Sequence, residues 1–137
     1  MAEPYQVEVV AADRRVWEGR AVNVIVRTTE GDIGILPGHE PLLAALVPCA
    51  AEIVTAEGGR EVIALDGGFV SVTPERVSLL AQYASLATEV KPEQAQRELD
   101  KLQVLMDSGD ATDEEQHRYH LAVAQLAVLR RQGNEPH

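Results

Sequence analysis

Two patterns of apolar and polar positions divide the chain near Ala87. Before it, Val and Ile fall in short runs cut by Gly and Pro: "QVEVV", "RVWEG", "AVNVIVRT", "GDIGIL", "LLAALV", "AEIVTA", "EVIALD", "FVSVT" and "RVSLLAQ". Their recurrence at roughly 8 to 12 residues is that of a sandwich or barrel. Several alternate with period two, so that Val22, Val24 and Val26 share one face, as do Val70 and Val72. Gly58-Gly59 lies between two such runs and predicts a two-residue hairpin. The expectation is two packed sheets over residues 1–87.

Beyond Ala87 the residues are helix formers. Ala95, Leu99, Leu102 and Met106 make one apolar stripe, with Pro92 at a first helical position and Gly109 at a helix end. Thr112 and Glu115 have the spacing of a capping box for a second helix. That helix carries acids in its first turn and arginines in its last, as the helix dipole favours, and Gly133 and Pro136 close it. Residues 88–137 therefore read as an antiparallel α-helical hairpin. Its second helix has two stripes, Tyr119, Ala122, Leu126 and Leu129, and beside them Leu121, Ala124 and Val128. One can pack on the first helix. The other needs a second partner, either the β domain or another protein.

Composition narrows the function more than the fold. Hydrophobic residues are 45% of the 137, enough for a core, and the net charge of −10 argues against a nucleic-acid partner. A single cysteine, Cys49, excludes an internal disulfide and suits a reducing compartment. The N-terminus lacks the pattern of a signal peptide, and no run of ~18 apolar residues exists for membrane insertion.

Catalytic motifs are absent: no phosphate loop, no G-x-G-x-x-G and no G-x-S-x-G occur. "DGGF" at Asp66–Phe69 reads as a tight turn or bulge between strands. His117 and His120, three apart, lack a third metal ligand and read as a solvated or hairpin-facing pair. His39-Glu40 cannot begin H-E-x-x-H, because Leu43 holds the last position and Pro41 breaks the helix. No nucleophile accompanies His39 as a base. "GILPGHEPLLAAL" instead predicts a type II turn over Leu36–His39, leaving as a strand. Glu30 and Asp32 before it, His39 within it and leucines after it make a docking edge rather than a catalytic pocket.

"EGDIGILPGHEPLLAAL", then "DGGFVSV" and a helical hairpin, resembles the epsilon subunit of bacterial F-type rotary ATP synthases, the counterpart of the mitochondrial delta subunit. "LVPCAAEIV" and "VEVVAADRRVWEG" fit the same family, so the likeness covers nearly the whole chain. It implies a β-sandwich of about ten strands and a helix-turn-helix, with no active site of its own. It implies a rotor subunit that binds gamma, sits on the c-subunit ring and couples proton flow to ATP synthesis, peripheral at the cytoplasmic face of the plasma membrane. Carried onto this sequence, Glu30, Asp32 and His39 face the c ring, and Leu42 and Leu43 face gamma. The hairpin of this family folds on the sandwich or extends into the alpha/beta hexamer, where it blocks ATP hydrolysis. Arg118, Arg130 and Arg131 are then the residues for the acidic segment of the beta subunit. Some members bind ATP through [IL]-D-x-x-R-A. Here "VKPEQA" puts Lys91 for the Asp and Gln94 for the Arg, so ATP is expected to bind weakly or not at all, and no cofactor is expected. The competing expectation is a freestanding β-sandwich adaptor whose hairpin grips another partner.

Overall fold

The computed structural model describes residues 3–133. Nine strands come first: β1 (Tyr5–Val10), β2 (Arg15–Thr28), β3 (Gly31–Ile35), β4 (Leu42–Leu46), β5 (Cys49–Thr55), β6 (Arg60–Leu65), β7 (Gly68–Val72), β8 (Arg76–Leu80) and β9 (Ala84–Leu86). A 3-10 turn, Ala87–Glu89, leads to α1 (Pro92–Ser108) and α2 (Asp113–Gly133). The described strands thus number nine where about ten were expected. "RVWEG" and "AVNVIVRT", read as separate runs, form the single 14-residue β2. β9, three residues long, is too short to show a period.

β2 organises the sandwich. Its first half pairs antiparallel with β1, and its second half pairs with β3 and β5. One layer is therefore β2-β1-β8-β7-β4 and the other β3-β2-β5-β6-β9, with β2 shared. β1 and β8 run parallel; the other pairs are antiparallel. Val24 and Val26 point inward and meet Val7, Val9, Ile35, Ile53, Ile63, Leu65, Val70, Val77 and Leu79, all at most 2% exposed. This core closes between the layers without the helices.

Two turns show how glycine directs the chain. The β5–β6 loop is not the expected two-residue hairpin. Gly58 N–H donates to Thr55 O at 3.0 Å, Thr55 N–H donates to Gly59 O at 2.9 Å, and Gly58 alone takes the left-handed conformation, φ 92°. This is a three-residue loop with a glycine bulge, in which Ala56 and Glu57 take the corners. At the start of β7, just after the turn from β6, Gly68 has φ 106°, and a Cβ there would lie 1.9 Å from Leu80 O. Only glycine fits.

Among the described residues the hairpin follows its sequence signals, while Pro136, expected to close α2, lies outside them. Gly109, φ 79°, ends α1 with Asp110 N–H on Leu105 O and Gly109 N–H on Met106 O. Thr112 and Glu115 cap α2 reciprocally, at 2.9 and 3.1 Å. Ala95 and Leu102 of α1 are buried. The surplus stripe of α2 finds its partner in the sandwich: Ala124 and Val128, with Leu121 beside them, pack on Val62 and Ala64 of the outer face of β6. No helix of the described residues is long and apolar enough to cross a membrane.

Candidate functional site

β3 lies on the sandwich edge, and the expected docking residues sit at its two ends. At the β2–β3 end, Thr28 Oγ1 accepts the Glu30 N–H at 3.1 Å and donates to Gly31 O at 2.9 Å, leaving the Glu30 side chain exposed. Asp32 stands opposite Arg27 in register and accepts Arg27 Nε at 2.7 Å and Nη2 at 3.3 Å. That fork holds the Asp32 carboxyl below its ordinary range. Both groups are well exposed, so the pair fixes geometry more than it stabilises.

At the other end Pro37-Gly38 makes the expected turn, with His39 N–H on Leu36 O at 3.1 Å and Gly38 at φ 84°. His39 Nδ1 donates to Glu40 O at 2.7 Å. A five-residue strand separates the two ends by roughly 17 Å. The acids and His39 therefore lie at two separate places along the edge, not in one cluster.

β4 alternates, and this separates the two leucines that the resemblance grouped. Leu42 packs against the core, while Leu43 points out and is 72% exposed. Leu43 shares its outer face with Phe69, 52% exposed, and Leu80, 44% exposed; Phe69 pairs Ala45 on one side and Leu80 on the other. The apolar outer surface is thus Leu43, Phe69 and Leu80. Phe69 and Leu80 were missed because each reads as one more apolar residue in a strand run.

On the opposite layer the hairpin is docked by more than its apolar seam. His117 Nδ1 donates to Asp66 Oδ2 at 2.6 Å, Gln125 Nε2 donates to Ser85 Oγ at 3.0 Å, and Arg131 Nη1 donates to Glu52 Oε1 at 3.3 Å. Arg60 also donates to Glu52 Oε1. Burial opposes the Glu52 charge, and Arg60 and Arg131 outweigh it, holding the carboxyl below its ordinary range. His117 is thus neither simply solvated nor turned to the hairpin; it faces the sandwich. Arg118 is paired with Glu98 of α1, and Arg130 is exposed with no ion-pair partner among the described residues. The sequence signal for these anchors was thin: a glutamate in the apolar run "AAEIV" and an aspartate ahead of two glycines.

A cavity of about 540 Å³ lies where α1 and α2 meet the sandwich, lined in part by Tyr83, Glu89, Lys91, Gln94, Glu98 and Arg118. Glu89 is held by Arg14 at 2.8 Å, and Arg118 is held by Glu98. Among the described residues no three His, Cys, Asp or Glu side chains converge as metal ligands.

Comparison with known proteins agrees with this architecture. Residues 4–87 match the family "ATP synthase, Delta/Epsilon chain, beta-sandwich domain". The ATP synthase epsilon chain of Cutibacterium acnes is 50% identical, over 96% of each chain. That of Streptomyces avermitilis is 47% identical over 83% of this chain and 90% of the relative. Among solved structures, a chain in the Euglena gracilis mitochondrial ATP synthase (OSCP/F1/c-ring) superposes with TM-score 0.71 at 19% identity, covering 94% of this chain and 81% of that one. That likeness is one of fold.

Proposed function

This chain belongs to the ATP synthase delta/epsilon family, and from that membership we propose that it is a non-catalytic central-stalk subunit whose hairpin restrains ATP hydrolysis. Its work is mechanical, passing c-ring rotation to gamma at the cytoplasmic face of the membrane. The observation that carries the regulatory half is the docking of α2. Small apolar residues and four polar contacts hold it, a small interface able to open and specific enough to re-form. Docked, it keeps Arg131 on Glu52, while Arg118 is held within the hairpin by Glu98 of α1. Released from the sandwich and with its two helices parted, the hairpin offers Arg118 and Arg131 with Arg130 to the acidic segment of the beta subunit.

The surfaces divide accordingly. The β3 edge, with Glu30 and Asp32 at one end and His39 at the other, faces the polar loops of the c ring. Glu30 has no ion-pair partner among the described residues, which suits it to a guanidinium there. Leu43, Phe69 and Leu80 form the apolar surface for gamma. In the cavity between hairpin and sandwich, the paired Arg118 leaves Lys91 as the main cation for a polyphosphate, beside Glu89 and Glu98. ATP binding there is weak or absent.

The test is ATP hydrolysis by a purified alpha/beta hexamer with gamma, run alone, with the full chain, and with a version ending at Thr88. Suppression by the full chain only is the expected result. Binding of gamma without any change in rate would leave a coupling subunit and remove the inhibitory role.

A further inference from the structure

The α2–sandwich contact contains a buried acid, Asp66. Asp66 lies in the β6–β7 turn with its side chain 1% exposed. Its backbone N–H donates to Tyr83 O at 3.2 Å, and its Oδ1 accepts the Tyr83 N–H at 3.1 Å. Its Oδ2 meets His117 Nδ1 at 2.6 Å. A carboxylate so far from water needs a countercharge or strong donors. Among the described residues no lysine or arginine pairs with it; the imidazole is the partner that can carry positive charge. That imidazole comes from the hairpin, 51 residues along the chain.

We propose that Asp66 and His117 form a protonation-dependent latch that holds the hairpin on the sandwich and loosens as the imidazole loses its charge. Protonated, His117 gives the buried carboxylate a charge-assisted bond; neutral, it still donates from Nδ1 but with about half the strength. Neighbouring groups do not supply the charge in its place. The Tyr83 ring meets the imidazole edge to face, with ring centroids 6.3 Å apart and planes at 82°, and its hydroxyl donates to Glu114 of α2 at 3.3 Å. Glu114 is an acid and supplies no positive charge to the carboxylate. Arg118, one residue on, is committed to Glu98 of α1, and His120 stands against the Tyr119 ring. The sign follows: docking is strongest on the acid side of the histidine range and weakens as pH rises through it. The latch deepens the regulatory reading and rests on it only for its effect on hydrolysis.

Docking is measurable in the full chain alone. Val128, fully buried in the seam, is replaced by cysteine in a Cys49→Ala background. Its rate of thiol labelling, divided by that of an unstructured peptide at the same pH, reads how often the seam opens. The ratio is expected to rise about tenfold from about pH 5.5 to about pH 8.5. His117→Asn keeps a neutral donor at every pH and should flatten the rise to below about twofold. Asp66→Asn should flatten it too and raise labelling on the acid side. A flat ratio in the parent, or an undiminished slope in His117→Asn, overturns the latch. A slope present in the chain but without effect on hydrolysis by the assembled enzyme supports the latch and overturns the inhibitory reading.

Discussion

At Gly68 a single missing Cβ holds two strands together. A Cβ would sit 1.9 Å from Leu80 O, while at Gly58, also left-handed, it would meet nothing within 4 Å. Gly68→Ala should therefore cost at least about 3 kcal/mol and Gly58→Ala about 1 kcal/mol, read as shifts of the urea midpoint. Acid behaviour is also set at this scale. Glu52 is held ionised against burial by Arg60 and Arg131. Its carboxyl is depressed, so its contribution is present above the unfolded value of about 4.3 and lost as pH falls through the folded one. Glu52→Gln should lower stability at pH 7 by about 1–3 kcal/mol and leave a flatter acid limb, both measurable by denaturation across pH. The sequence made the glycines legible, because a turn declares itself locally. It hid what Asp66 and Glu52 do, because their hairpin partners lie 51 and 79 residues away.

At the scale of elements, the signals that were read correctly are again local. Caps, the Pro92 start, the Gly109 stop and the strand runs each depend on a few neighbouring residues. Pairings that span the chain, such as parallel β1–β8 and the sharing of β2 between layers, leave no such trace. Nor could periodicity decide which stripe of α2 meets which partner. Packing decides it: Ala124 and Val128 are small enough to bring α2 close to Val62 and Ala64. Ala124, wholly buried, has no room to grow. Ala124→Leu should lift the helix and cost docking about 1–3 kcal/mol, while Val128→Ala should cost roughly 2 kcal/mol through lost burial. Both should speed proteolysis within α2 yet leave the near-ultraviolet signal of Trp17, in β2, unchanged. A change at Trp17 would mean that the seam and sandwich core are coupled.

For the whole molecule, the separation of the two apolar clusters decides what the chain can do without its hairpin. The large cluster closes between the β layers; the small one exists only where α2 covers β6. A chain ending at Thr88 should therefore still unfold in one cooperative step, with a smaller urea dependence because less surface is exposed on unfolding. It should also uncover Val62 and Ala64, at 3% and 0% exposure in the full chain, on the layer opposite Leu43, Phe69 and Leu80. Two apolar faces on a sandwich of some eighty residues favour self-association and dye binding. Sedimentation should show concentration-dependent dimers, and a hydrophobic dye should fluoresce more strongly with the short chain than with the full one. Val62→Ser in the short chain should reduce both effects, since it wets the newly bared face and leaves the inner core untouched. An unfolded short chain by circular dichroism would show instead that the sandwich depends on its hairpin, and release of α2 in a working rotor would then be too costly to serve as a switch.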